Sequence, residues 1–328
     1  MGNVENMNRM PVALDVEERP AEETDQRMVD EYTYLLGRPT LKEFLDFVEA
    51  EVVDGRSADR RTLIEEWKSA NNYIRILEEK EAGWADNPKI GALAPRLGPL
   101  RDEFLENPLI QHSFRSVPFE IGMVELDRLV IYQKHINLEF VRSLSKKIAE
   151  APGDEEVFRA CLPSDRALSV AKCIRTRNDT YQFLSPSNDL RFLGPMLLNS
   201  ENVTGHPPPG AIVGVVGLAV GFGTNVLNVV QAENRLVLNN GSHRAFTLRQ
   251  MGITHVPCLI QHVSSREELM LVGSAELRKN PDRYLLHPRP SLFKDYFEPR
   301  LRKVFPVIRQ FRQVRVNFTV EENYVPAV

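Results

Sequence analysis

The chain has 328 residues, of which 42% are hydrophobic and 26% charged, and its formal net charge is −4. This length exceeds an average domain, so we expect two or three units with buried cores. The negative charge argues against a protein that coats nucleic acid by bulk charge. No apolar run approaches the ~18 residues of a membrane span. Three cysteines without metal-type spacing predict a reduced, cytoplasmic protein.

The first 112 residues predict a tail followed by helices. Residues 1–27 are rich in Glu and Asp without apolar periodicity, which predicts a flexible acidic tail. Residues 28–112 predict a helical region, with a capping box at Thr40-Leu41-Lys42-Glu43. A helix over residues 57–80 carries an apolar stripe that serves packing, which we favour, or forms the seam of a homodimer. The stripe consists of Leu63, Trp67, Ala70, Ile74 and Leu77.

The pattern changes after residue 112, where a domain over residues 113–263 is predicted. Residues 119–124 predict a strand, a polar turn with Gln133 follows, and Asn137 can cap the next helix. Residues 151–210 contain polar turns and end in a proline-rich stretch, and we interpret them as an insertion with helical pieces. Residues 264–328 predict a C-terminal helical extension, because a capping-box pattern begins at Ser265 and several prolines limit helix length.

Residues 226–263 predict two strands, a turn, a short helix and a closing strand. The turn is Gly241-Ser242-His243-Arg244. Unpaired amides at a helix start attract anions, and Gly241 allows the backbone to approach a ligand closely. Ser242 can cap or donate its hydroxyl, Arg244 offers a planar fork for phosphate, and His243 can donate or carry a proton. The sequence therefore predicts an anion or nucleotide-phosphate site, against the alternative of a capped turn with Arg244 on the surface.

The surroundings of this turn resemble the ParB/sulfiredoxin superfamily. That family has a strand pair, an Asp-Gly-x-His-Arg type turn, a short helix and a Val-Pro strand, similar to residues 229–258 here. Residues 117–148 are similar to the family's first strand, polar turn and first helix. The resemblance covers residues 117–148 and 212–263. It implies a small mixed-sheet domain whose turn binds nucleotide phosphates or another anion.

Three positions of the chain depart from the pattern of that family. Asn240 replaces the usual Asp, which removes a carboxylate that could orient a ligand or metal. Ser242 stands where sulfiredoxins carry their catalytic cysteine, which argues against repair of sulfinic acid. Gln133 stands where members that phosphorylate free serine have Glu, and Gln cannot act as a general base. Members that bind CTP can have Gln there, so Gln133 is predicted to contact a nucleotide.

Two further segments carry weaker patterns. Residues 221–225 contain two glycines and predict a hairpin turn rather than a phosphate loop, because they lack the Gly-Lys-Ser/Thr sequence. Near the C-terminus, arginines alternate with aromatic residues, which is compatible with nucleic acid but favours an ordinary amphipathic surface. The segment contains Arg300, Arg302, Lys303, Phe305, Arg309, Phe311, Arg312, Arg315 and Phe318.

Together these patterns predict an α+β protein: an N-terminal helical region and a small mixed-sheet ParB/sulfiredoxin-like domain with a long insertion. The hypothesis for function is an enzyme that uses ATP or CTP with Mg²⁺ for phosphotransfer or hydrolysis. Gly241, Ser242, His243, Arg244 and Gln133 would bind the nucleotide, and Ser242, His243 and Arg244 would act in catalysis. No His or Cys spacing predicts a metal site. Two alternatives stay open: a non-catalytic nucleotide-sensing or DNA-associated module, and a pathway enzyme acting on a small carboxylate or amine.

Overall fold

The computed structural model is an α+β protein, as the sequence predicts. It describes residues 28–164, 169–177, 179–199 and 210–326. These residues form two compact units: a larger one from 28–164 and 224–309, and a smaller one from 169–223, with gaps, and 310–326. The predicted acidic tail and the prolines that end the predicted insertion lie outside the described residues. None of the described helices has the length and apolar character needed to cross a membrane.

The described helices all belong to the larger unit. They are α1 (Leu41–Glu51), α2 (Arg60–Lys80), α3 (Gly98–Glu106), α4 (Pro108–Phe114), α5 (Leu138–Ser145), α6 (Asp154–Cys161), α7 (Ser242–Gln250), α8 (Arg266–Val272), α9 (Ala275–Lys279) and α10 (Pro281–Leu285). The predicted capping box at α1 is confirmed, since the Thr40 side chain accepts from the Glu43 amide and the Glu43 carboxylate accepts from the Thr40 amide. The predicted stripe on α2 is largely buried, which supports its packing role.

Seven strands belong to the larger unit and five to the smaller. The first set is β1 (Val29–Leu35), β2 (Phe119–Glu125), β3 (His135–Asn137), β8 (Asn228–Ala232), β9 (Arg235–Asn240), β10 (His255–Val263) and β11 (Arg302–Ile308). The second set is β4 (Lys172–Arg177), β5 (Thr180–Ser185), β6 (Leu190–Leu198), β7 (Val215–Phe222) and β12 (Arg312–Asn317). The smaller unit has a three-stranded sheet in the order β12-β5-β4 and a separate ribbon of β6 and β7.

The central sheet of the larger unit is small and mixed, in the order β2-β10-β8-β9. Strand β10 runs antiparallel to β2 and parallel to β8, and β8 forms a hairpin with β9. Glu233 takes a φ of 54° in the turn of that hairpin. The predicted series over residues 226–263, two strands, helix and closing strand, is confirmed. Because β8 and β10 are buried along most of their length, their sequences are nearly continuous apolar runs.

Both ends of the larger unit contain strands where the sequence predicts helices. β1 opens the predicted helical region 28–112, and β11 lies within the predicted C-terminal helical extension, as does β12 of the smaller unit. β1 pairs with both β11 and β3 in a second, antiparallel sheet. Val29 faces Ile308 in that sheet, so the partner of β1 is some 280 positions away and gives no local sequence signal.

Two expectations for the middle of the chain are corrected. Residues 221–225 are no hairpin turn, because β7 ends at Phe222 and pairs with β6 rather than with β8. Of the described residues in the predicted insertion, only α6 is helical, and the remaining elements are strands. Phe158 and Cys161 of α6 are buried in the main hydrophobic core, so this helix is part of the larger unit.

Candidate functional site

The predicted turn lies at the start of α7, where β9 ends. Gly241 takes a φ of 94°, and a Cβ there would lie 3.0 Å from the Leu227 Cα. A glycine is needed for both reasons. No side chain caps α7, and its first turn contains no acidic residue. The Gly241 amide donates to the Asn240 side-chain oxygen (2.8 Å), and no hydrogen bond between described residues engages the amides of Ser242 and His243.

The start of α5 lies directly beside the start of α7. The Asn137 side chain caps α5 by accepting from the Glu139 and Phe140 amides, as predicted for Asn137. The Asn137 backbone N–H donates to His243 Nε2 over 3.0 Å. Because Nε2 is an acceptor in this bond, the neutral ring carries its proton on Nδ1. His243 therefore joins the two helix starts.

Two partly buried histidines stand at this junction. Burial, with a smaller effect of the nearby His135, lowers the pKa of His243 to about 4. Burial also lowers the pKa of His135 to about 4, with a smaller effect of the Lys134 charge. The His135 ring stacks on Tyr32 at 4.9 Å between centroids. Both imidazoles are therefore neutral near pH 7, and proton transfer by His243 would require an exchange of its bond to Asn137.

Arg244 points into the protein and is only 7% exposed. Its two terminal nitrogens donate to the carbonyl oxygens of Cys161 (3.2 Å) and Asn225 (2.9 Å). The alternative that placed Arg244 on the surface is therefore wrong. These two bonds tie α7 to the end of α6 and to the chain before β8. The guanidinium thus serves the fold, and its role as a direct ligand for phosphate stays a prediction.

Gln133 lies upstream of the junction and is held by its neighbours. Its side-chain nitrogen donates to the His135 backbone carbonyl (2.9 Å), and the Gln133 backbone carbonyl accepts from the Tyr296 hydroxyl (2.7 Å). Gln133 also lines a small cavity together with Arg38 and Lys134. The structure therefore brings His135, rather than the Gln133 side chain, next to the predicted turn. Contact between Gln133 and a nucleotide stays a prediction.

An ionic cluster in the larger unit escaped the sequence reasoning. The Arg289 guanidinium, with 1% exposure, donates to both oxygens of Asp295 at 2.5 and 2.6 Å and to Glu81 at 2.9 Å. Lys294 also pairs with Glu81 at 2.9 Å. Such complete pairing is what a buried arginine requires. Glu81 is 208 positions from Arg289, so no local pattern could have revealed the cluster.

Three of the basic residues near the C-terminus form ion pairs in the larger unit, and Arg302 donates to the Tyr296 carbonyl. Lys303 bonds Glu66, Arg309 bonds Asp30 and Arg300 bonds Glu298. Each pair removes a positive charge that a nucleic acid would need. This supports the interpretation of the segment as an ordinary surface.

The described residues contain no group of three or more His, Cys, Asp or Glu side chains placed to hold a metal ion. The three cysteines are free thiols, with Cys161 and Cys258 buried. Burial raises the pKa of Cys161 to about 12, so this thiol stays protonated and acts as a small core residue.

Scans of the chain against models of protein families, against curated proteins and against solved structures found no match. The ParB/sulfiredoxin resemblance of residues 117–148 and 212–263 therefore stays a prediction.

Proposed function

We propose that the protein binds a nucleotide or another phosphate-bearing anion at the start of α7. The observation that carries this function is the difference between α7 and its neighbour. α7 begins at a left-handed glycine without a side-chain cap and without an acidic residue in its first turn. α5, beside it, is closed by Asn137. An uncapped helix start concentrates donor amides and positive dipole at one place.

The donors would come from the backbone rather than from a cluster of basic side chains. Among the bonds between described residues, none engages the amides of Ser242 or His243 or the Ser242 hydroxyl. These groups can therefore bind phosphate oxygens without breaking a contact of the fold. Arg244 is the third residue of α7, and its buried guanidinium would add favourable charge at longer range. The family resemblance supports the same location.

The mixed sheet supports this location by holding the glycine turn rigid. Asn240 closes the end of β9 with a bond from its side chain to the Thr224 carbonyl (3.2 Å). Tyr132 donates to the Asn239 carbonyl (2.6 Å) from the segment before β3. Because the turn is fixed from both sides, its amides keep one direction and need little ordering when an anion binds.

The test is a thermal-shift screen followed by calorimetry with Mg·ATP, Mg·CTP, pyrophosphate and inorganic phosphate. We expect at least one of these to raise the melting temperature of the wild type. In Ser242→Asp we expect its affinity to fall at least ~30-fold, because a carboxylate at the helix start repels the anion. The same carboxylate stabilises the helix dipole, so the variant keeps its fold.

Ser274→Asp is the matched control, because it adds the same charge at the start of α9. There the Ser274 side chain already caps the Leu277 amide. We expect Ser274→Asp to bind as the wild type does. A wild type that responds to none of the four ligands, or a Ser242→Asp variant with undiminished affinity, would contradict the proposed site. Release of inorganic phosphate from the bound nucleotide then distinguishes an enzyme from a sensing module.

A further inference from the structure

The three-stranded sheet of the smaller unit, in the order β12-β5-β4, carries positive charge without negative charge. Its three strands contain five basic residues and no acidic residue, although the net charge of the whole chain is −4. The basic residues are Lys172, Arg175, Arg177, Arg312 and Arg315. The excess of positive charge is therefore a local property of this sheet.

The register of the strands places three of these residues on one face of the sheet. Residues directly opposite each other in paired strands share a face, and successive residues alternate between the faces. Lys172, Arg315 and Arg177 lie opposite positions 184, 182 and 180 of β5, respectively, with Arg177 after a bulge in β4. We call the face that carries these three residues the basic face. Each of its three successive rows, about 7 Å apart, contains one cation.

The cations of the basic face are exposed and have no carboxylate beside them. No hydrogen bond or ion pair between described residues engages the side chains of Lys172, Arg177 or Arg315. Lys303 and Arg309, earlier in the same C-terminal segment as Arg315, are instead bonded to carboxylates in the larger unit. The positive charge of the basic face is therefore available to an anionic partner.

Amide and apolar side chains lie between the cations on the basic face. Gln313 of β12 donates to Gln182 of β5 (3.3 Å), and Asn317 is exposed further along β12. Ile174 is 40% exposed, and Leu184 is partly exposed. Amides can donate to and accept from the edges of unpaired bases, and apolar side chains can pack on their faces. The basic face thus combines groups for phosphates with groups for bases.

We propose that the basic face binds single-stranded nucleic acid. The backbone phosphates would lie at Lys172, Arg315 and Arg177, and the bases would contact the amide and apolar side chains between them. One cation in each successive row gives positive charge along the whole path of a strand that crosses the sheet. The start of α7 belongs to the larger unit, so this surface is a second binding site for a different ligand.

The side chains of the basic face favour a single strand over other anionic partners. The bases of a duplex are paired and stacked, so they could not reach the amides of a sheet face. A membrane surface requires large apolar side chains that insert, and among the described residues of this face Ile174 is the only exposed one. An acidic protein segment would use the cations but would leave the amides without a partner.

Fluorescence anisotropy of the full chain with a labelled single-stranded oligothymidylate of about 20 nucleotides tests this surface. We expect micromolar affinity at ~50 mM salt and weaker binding of a duplex of the same length. In the triple variant Lys172→Gln, Arg177→Gln and Arg315→Gln, we expect the affinity to fall at least ~30-fold. The slope of log affinity against log salt should become less steep by about 2, because each phosphate contact on a single strand contributes about 0.7.

The triple variant Arg56→Gln, Lys68→Gln and Arg75→Gln is the matched control. It also removes two arginines and one lysine from exposed positions, but in the larger unit. We expect it to bind the oligothymidylate as the wild type does, with the same salt dependence. Circular dichroism shows whether both triple variants are folded.

Three results would overturn the proposed surface: a wild type that does not bind the oligothymidylate, a basic-face variant with undiminished affinity, or a control that is weakened equally. Polyglutamate or the duplex that binds as tightly as the single strand would show attraction by charge alone and would contradict the role of the amides. Binding to phosphatidylserine vesicles without binding to the oligothymidylate would replace the nucleic acid with a membrane surface.

Discussion

The adjacent helices α5 and α7 differ in how the backbone amides of their first turns are satisfied. α5 satisfies its first amides with the Asn137 side chain. α7 begins at Gly241 without a cap, although His243 in its first turn accepts a bond from the Asn137 amide. A helix start that is closed from within contributes to stability. The open helix start of α7 is where we propose that an anion binds.

The largest effect is expected when the left-handed turn at α7 is broken. Gly241→Ala places a Cβ 3.0 Å from the Leu227 Cα at a φ of 94°. We expect a loss of about 2–3 kcal/mol in the free energy of unfolding, measured by urea denaturation. Gly98→Ala is the control, because Gly98 begins α3 and a Cβ added there would meet nothing within 4 Å. An equal, small effect of both changes would show that the α7 turn is not strained by a side chain.

The next effect is the pH dependence of the free energy of unfolding, which arises from the two histidines at the junction of α5 and α7. His243 and His135 have pKa values lowered to about 4 in the folded protein, against 6.5 when unfolded. The unfolded chain therefore takes up more protons at low pH. The stability that these two histidines contribute is fully present above pH 6.5 and is lost as the pH drops towards 4. Each histidine contributes a slope of at most about 1.4 kcal/mol per pH unit in that window.

His135→Phe tests this assignment, because it keeps the aromatic stacking on Tyr32 while removing one titrating group. We expect the loss of stability between pH 6.5 and 4.5 to be about half as steep as in the wild type. The measurement is the denaturation midpoint across that range. An unchanged slope would show that His135 does not titrate in this window.

Asn137→Ala removes the cap of α5 but leaves its backbone bond to His243. The side chain accepts from two amides and donates to Asp30 (3.0 Å). We expect a loss of ~1–2 kcal/mol by denaturation, typical of an N-cap with an additional bond. Anion binding at α7 should be affected less than stability. The opposite outcome, weakened binding in a stable protein, would place Asn137 among the ligand contacts.

The smallest effect on stability is expected from Ser242→Ala. No hydrogen bond between described residues involves the Ser242 side chain, so its loss should change the free energy of unfolding by less than ~0.5 kcal/mol. If the hydroxyl binds phosphate, affinity should nevertheless fall ~5- to 10-fold in calorimetry. A variant that loses stability but keeps its affinity for the anion would show that the Ser242 hydroxyl caps α7 rather than binding phosphate.

Patterns within short segments predicted much of the larger unit. The capping box at Thr40, the cap at Asn137 and the glycine before α7 are confirmed because each depends on residues a few positions apart. The helix after Ser265 is confirmed at its start, where Ser265 accepts from the Glu268 amide. It ends at Val272, and Ser274 then caps the next helix, α9.

The sequence by itself therefore determined the α+β class, the strand, helix and strand around residues 226–263, and the glycine before α7. Tertiary structure alone decided which distant groups meet. It directed Arg244 to the carbonyl of Cys161, joined Arg289 to Glu81 and placed β1 between β3 and β11. The physical reason is the sequence separation of the contacts: helix caps and periodic burial depend on residues within one or two helical turns of each other. Pairing of buried charges and strand edges depends on the closure of the whole fold.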